Sequence, residues 1–246
     1  MKQIVRMAWA LVLAGALAAP AAAAAQGANK PVVAVLSFDN NSIGKDAADY
    51  NGIGKGIADF LITDMASNPS VALVDRDKIQ QVLQEQNLVK QGAVDPQTAV
   101  RVGKLLGAQY MVTGGFMSDG RGTMVLTARS INVETGAITN PQRVQSRTDD
   151  VLGLIAQLSG KVSKDMKLPA MDHGMGAMDN KKMGDVGAKP QQKMDLRTAM
   201  LYAKALDAKD SGDNAKAVTL FRQVLDKFPD YTPAKQNLKK VAKSGD

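Results

Sequence analysis

Residues 31–38 read PVVAVLSF, an unbroken apolar and β-branched run with no polar alternation. Such a strand has no solvent face and is buried on both sides, which points to a layered α/β domain. The pattern that follows fits one. After a polar loop rich in Asn, Asp and Gly, residues 57–66 have helical spacing, and Asn68-Pro69 stops them. Residues 71–74 (VALV) read as a second short strand. Asp75 is placed to cap a helix over 78–89, and Asp95-Pro96 opens another that ends at Gly107. The period then shifts. Residues 109–116, 124–133 and 138–145 predict three consecutive antiparallel strands, with turns at 120–122 and 134–137. A helix over 151–166 closes the unit. The predicted fold class is α/β, a mixed sheet with flanking helices in the order β-α-β-α-α-β-β-β-α, plus a small C-terminal all-α helical hairpin.

The ends of this unit are marked by changes in composition. Lys2 and Arg6 precede an apolar run over 7–19, Pro20 interrupts it, and Ala23 to Ala25 form an Ala-x-Ala end. This is the pattern of a cleavable export signal over 1–25, too short for a membrane span. Residue 16 is Ala, so there is no lipoprotein cysteine, and the chain contains no cysteine at all. The expected localisation is periplasmic, with no transmembrane segment in the mature chain. The α/β domain covers 30–166. Residues 167–194 lose apolar periodicity and are rich in Gly, Pro, Met, Lys and Gln, the composition of a flexible linker. A helical unit covers 195–246, with helices over 196–209, 214–228 and 233–242.

Six pieces of the first domain carry a family resemblance. They are residues 33–38 at the first strand, 52–59 (GIGKGIAD), Val74 to Asp77, Gln84 to Gln86, 99–108 (AVRVGKLLGA) and Tyr110 to Gly114. In this order and spacing the domain resembles the curli-secretion component (CsgG-type) family, which includes periplasmic relatives such as penicillin-binding-protein activators. The resemblance implies the periplasmic fold. It does not carry the pore, because the connections at 116–123 and 133–138 are tight, whereas a transmembrane strand takes about 9–11 residues each way. Residues 198–234 resemble one tetratricopeptide unit, through Gly212, Ala217, Phe221 and Pro229, with Tyr202 and Ala205 on the inward face. One repeat cannot bury its own face. The helix from Pro233 is expected to cap it, and the unit to dock on the first domain or on another chain.

Chemistry is sparse. Gly52-x-Gly54-x-Gly56 invites a phosphate cradle, but it lies about fourteen residues beyond Phe38 rather than on a tight strand-to-helix turn. It reads as a glycine-rich helix opening. Asp75 and Asp77 read as a cap and a surface charge paired with Arg76 or Lys78, and Asp149-Asp150 as a helix start. The sole histidine, His173, falls in the linker, where no base is rigidly placed, so no catalytic residue is assigned and the chain is read as not an enzyme. No cofactor is called for except copper. Met171, His173, Met175, Met178 and Met183 are candidate Cu(I) ligands, since thioethers are soft donors and no cysteine competes.

The formal charge of +7 first suggests an acidic partner. Residues 30–166 hold 14 basic and 14 acidic side chains, so the excess lies outside the α/β domain. Without a basic patch there, and with the only Trp in the leader, nucleic acid is not an expected partner. Part of the excess gathers at Lys235, Lys239, Lys240 and Lys243. With Tyr202, the first three are the candidate partner-binding residues. The leading expectation is a non-enzymatic exported assembly or adaptor protein that binds envelope or periplasmic proteins, with self-association a further option. The alternatives are a subunit of a curli-like outer-membrane secretion system and a periplasmic copper-handling protein.

Overall fold

The computed structural model describes residues 30–44, 47–88, 95–119, 121–168 and 193–243. Within them β1 (Val32–Val35) and β2 (Asp39–Asn40) lead into α1 (Ile53–Met65), β3 (Ala72–Leu73), α2 (Arg76–Glu85) and α3 (Pro96–Leu106). β4 (Tyr110–Ser118), β5 (Thr123–Asn132), β6 (Gln142–Arg147) and α4 (Val151–Asp165) complete the α/β layer. α5 (Leu196–Asp210), α6 (Asn214–Lys227) and α7 (Thr232–Lys243) follow. The fold is mixed α/β with C-terminal helices, as predicted. The sheet order is β3-β1-β4-β5-β6, with β2 pairing β4. β1 lies parallel to both β3 and β4, while β4, β5 and β6 run antiparallel.

The opening strand does what its composition demands. Val33 and Val35 enter a core shared with α1, α4 and the C-terminal helices, while Ala34 and Leu36 enter a second core under α2 and α3. Helix ends follow local chemistry. The Asp75 carboxylate accepts from the Asp77 amide, Asp95 from Gln97 and Thr98, and Asp150 from Gly153. Several boundaries differ from expectation: α2 spans Arg76–Glu85 rather than 78–89, β4 extends to Ser118, and the short β2 falls in the expected loop. α1 begins at Ile53 rather than at 57, so Gly52 is its N-cap, at φ 89°, and Gly54 and Gly56 lie inside the helix. A methyl at Gly54 would strike the Phe38 carbonyl oxygen, and one at Gly56 would sit 3.1 Å from the Ala203 Cβ of α5. Gly54 and Gly56 are there for close approach of neighbouring elements. β6 starts at Gln142 rather than at 138. Ile138 bridges Ile131, then Thr139, Asn140 and Pro141 face only Arg129 and Ser130. This is a one-residue bulge that ends with a proline unable to donate to the ladder.

The C-terminal helices join the same body. Their first contact is backbone: Val151 N–H donates to the Met194 carbonyl, and Leu196 N–H to that of Thr148. α5 then packs on α1 where Gly56 admits Ala203. Phe60 of α1 stacks on Tyr202 at 5.3 Å between ring centroids, and Tyr231 and Phe221 meet Tyr202 edge-on. Ala217, Phe221 and Ala234 are fully buried. The Met/His segment 171–183 and the export signal expected over 1–25 lie outside the described residues.

Candidate functional site

The C-terminal helices and the α/β layer meet in a dense charged junction where α1, α2, α5 and α7 converge. Arg76, the first residue of α2, is aimed across it. Its guanidinium makes a two-pronged pair with Asp210, Nη1 to Oδ2 at 2.9 Å and Nη2 to Oδ1 at 2.7 Å. Both side chains are buried, 9% and 8% exposed. Asp59 of α1 stands 3.7 Å from Arg76 Nε and accepts a hydrogen bond from the Tyr202 hydroxyl at 2.5 Å. Asn237 of α7 donates to the same hydroxyl at 3.2 Å. Asp77 receives Lys209 at 2.6 Å and Lys240 at 3.0 Å. Lys55 of α1 reaches Asp207 and Asp210. A cleft of about 330 Å³ opens beside these groups, lined by Asp59, Arg76, Asp77, Asn237 and Lys240.

Burial and pairing set the protonation states. Burial lifts the Asp59 carboxyl above the ordinary carboxylate range, against the opposing pulls of the Tyr202 hydroxyl and Arg76. For Asp77 burial also acts upward, but hydrogen bonds from Lys209 and Lys240 together outweigh it and hold the group low. Burial pushes the Tyr202 phenol well up, with the Asp59 charge adding to it. For Arg76 burial works against the charge, but its bonds to Asp210 prevail and raise its pKa. Every carboxylate of the junction is met by a cation or hydroxyl from across it. The arrangement is built to clamp helices.

The expected partner-binding residues divide here. Tyr202 is 0% exposed, so it is no surface anchor. Its ring fills the core and its hydroxyl serves Asp59. Lys240 turns inward to Asp75 and Asp77 of its own chain, at 3.7 and 3.0 Å. Lys235 pairs with neighbouring Asp230 at 3.4 Å, and Lys239 is exposed on α7. Asp77 is more than a surface charge beside Arg76, since its strongest partners come from the tail. Asp59, Lys209, Asp210 and Asn237 were not singled out from the sequence. Their one signal was a charged or, for Asn237, polar side chain on helices that also carry apolar residues. Among the described residues, no cluster of three or more His, Asp or Glu could hold a metal ion. No described helix is long and apolar enough to cross a membrane.

The class defined by this geometry is a layered α/β domain with a mixed sheet, fused through a charged junction to three C-terminal helices. Residues 15–124 match the family model described as curli production assembly/transport component CsgG, a match that ends at the start of β5. Among solved structures, the chain is similar to the LpoB C-terminal domain from Escherichia coli, at 20% identity and a TM-score of 0.37. That similarity covers 48% of this chain and 82% of that one. It is also similar to the PelC dodecamer from Paraburkholderia phytofirmans, at 15% identity and a TM-score of 0.33, over 58% of this chain and 90% of that one. Lipoprotein GNA1162 from Neisseria meningitidis matches at 15% identity and a TM-score of 0.37, over 55% and 96%. No curated protein sequence matches the chain.

Proposed function

We propose that this is a non-enzymatic, exported assembly or adaptor protein of the cell envelope, in which the CsgG-type domain and the tetratricopeptide-like tail present one continuous binding body to protein partners. The observation that carries this reading is the junction itself. Arg76, Asp77 and Asp59 commit their charge to fixing the tail, so the two units share one core and hold a constant geometry. That is what a scaffold requires, because partners bound to its two parts are then held in register. The family-model match over 15–124 supports an envelope assembly role. The export pattern over 1–25 supports delivery to the periplasm.

The test is photo-crosslinking in living cells, with a crosslinking residue placed on α6 at Lys216 and Arg222, on α7 at Lys239, and on β6 at Gln145. The expected result is the same small set of envelope proteins recovered from more than one position. Crosslinks to no protein from any position would overturn the reading.

A further inference from the structure

We propose that the face of β4, β5 and β6 that no described helix covers is a docking surface for an acidic segment of a partner protein, an inference that rests on the adaptor reading above. Helices α2 and α3 cover this side of the sheet only over β3, β1 and one end of β4 and β5, through Met111, Ile131 and Val133. Helix α4 packs on the opposite side, against Leu126 and Val144. Strand alternation therefore turns Thr113, Gly115 and Met117 outward on β4, Val125, Thr127 and Arg129 on β5, and Arg143, Gln145 and Arg147 on β6. Among these outward positions stand three guanidiniums and no carboxylate.

The charges on this face are incompletely matched among the described residues. Arg129 leans on Thr113, its Nε 3.4 Å from the hydroxyl, and its field offsets part of the burial that raises Asp39 at the rim. Among the described residues, Arg143 has a neutral partner, the Gln145 side-chain oxygen at 3.1 Å. Arg147 stands 3.9 Å from Asp149 with both side chains largely exposed. The face also offers apolar anchors. Met117 is 43% exposed, and Ile43 is 83% exposed at the rim, where Ser42 accepts from the Ser118 amide. A groove of about 470 Å³ runs over Thr113, Gly115, Thr127 and Arg129 and is lined also by the carboxylates of Asp39 and Asp95, while Arg143 and Arg147 lie outside it. Methionine and arginine are both enriched at interface centres.

The occupant follows from charge. A second copy meeting this face by its own two-fold would set arginine against arginine. Arg143 and Arg147 are about 13 Å apart along β6. An extended acidic segment with carboxylates at alternating positions reaches both, and each guanidinium can grip one with two hydrogen bonds.

The experiment uses the mature full chain and a labelled peptide of alternating Glu and Thr. Controls are the same peptide with Gln for Glu, duplex DNA, and phosphatidylglycerol vesicles. Binding is measured by anisotropy and mapped by hydrogen exchange, with sedimentation for self-association. The expected result is protection over 123–129 and 142–147, with affinity falling roughly tenfold in Arg143→Glu/Arg147→Glu and largely kept in Arg143→Lys/Arg147→Lys, both with unchanged melting. Protection confined to the lysines of α7, affinity unmoved by the charge reversal, or tighter binding of DNA or vesicles to this face would each overturn the proposal. So would a dimer formed through this face. Crosslinks retained from α6 and α7 while the sheet face stays silent would sink this proposal and leave the adaptor reading standing.

Discussion

Arg76 shows how one side chain can decide the relation between two units of a chain. It is buried, and it meets Asp210 with two hydrogen bonds and Asp59 with a longer contact. Removing one partner of such a pair leaves a buried charge unmatched and typically costs about 3–5 kcal/mol, whereas replacing both with apolar groups of similar size is often neutral. Arg76→Ala should therefore lower the urea midpoint sharply, and Arg76→Met with Asp210→Leu should restore most of the loss. A double variant as unstable as the single one would count against the clamp. The two neighbouring carboxyls respond to acid in opposite senses. Asp77 is held below its ordinary value of 3.8, so its stabilisation is present above that pH and drains away as pH falls through its folded value. Asp59 is held above 3.8, so stability declines as pH rises from 3.8 through its folded value. Unfolding midpoints measured across acid pH should show Asp77→Asn flattening the first slope and Asp59→Asn the second.

At the scale of elements, helix α1 carries the most informative prediction. Glycine to alanine in a helix ordinarily gains about 1 kcal/mol. Gly54→Ala should instead lose roughly 1–3 kcal/mol, because its new methyl meets the Phe38 carbonyl. Thermal melting reads the sign directly. Much of this architecture was legible beforehand. The two-faced burial of β1, the caps at Asp75, Asp95 and Asp150, and the switch to antiparallel strands after Gly107 all rest on local rules that the structure obeys. What escaped were features set by remote partners. Gly56 is small because Ala203 is next to it, 147 positions away in sequence. Asp77 and Lys209 pair across 132 positions, which no local period records. The bulge at 139–141 shortened β6 through a proline whose effect depends on which strand it faces. Lys240 looked free because a lysine run on a helix gives no hint of an aspartate from elsewhere.

Seen as a whole molecule, the helical tail is part of the fold rather than an appendage. Tyr202 and Phe221 belong to the same buried cluster as Phe60 and Leu126. Phe221→Ala should cost about 3–5 kcal/mol and lower a single cooperative transition, seen alike by tyrosine fluorescence and by exchange in β5. Two separated transitions would mean that the units unfold apart. The backbone bonds between 148–151 and 194–196 have a wider consequence. The tail enters the fold beside the first turn of α4, although it leaves that helix in sequence from its last. Backbone bonds and buried faces hold it there. The two pieces, 30–168 and 193–246, ought to behave as a split protein that finds its own complement when made as separate polypeptides. Reassembly would then report, in a living cell, when and where the two halves of this body come together.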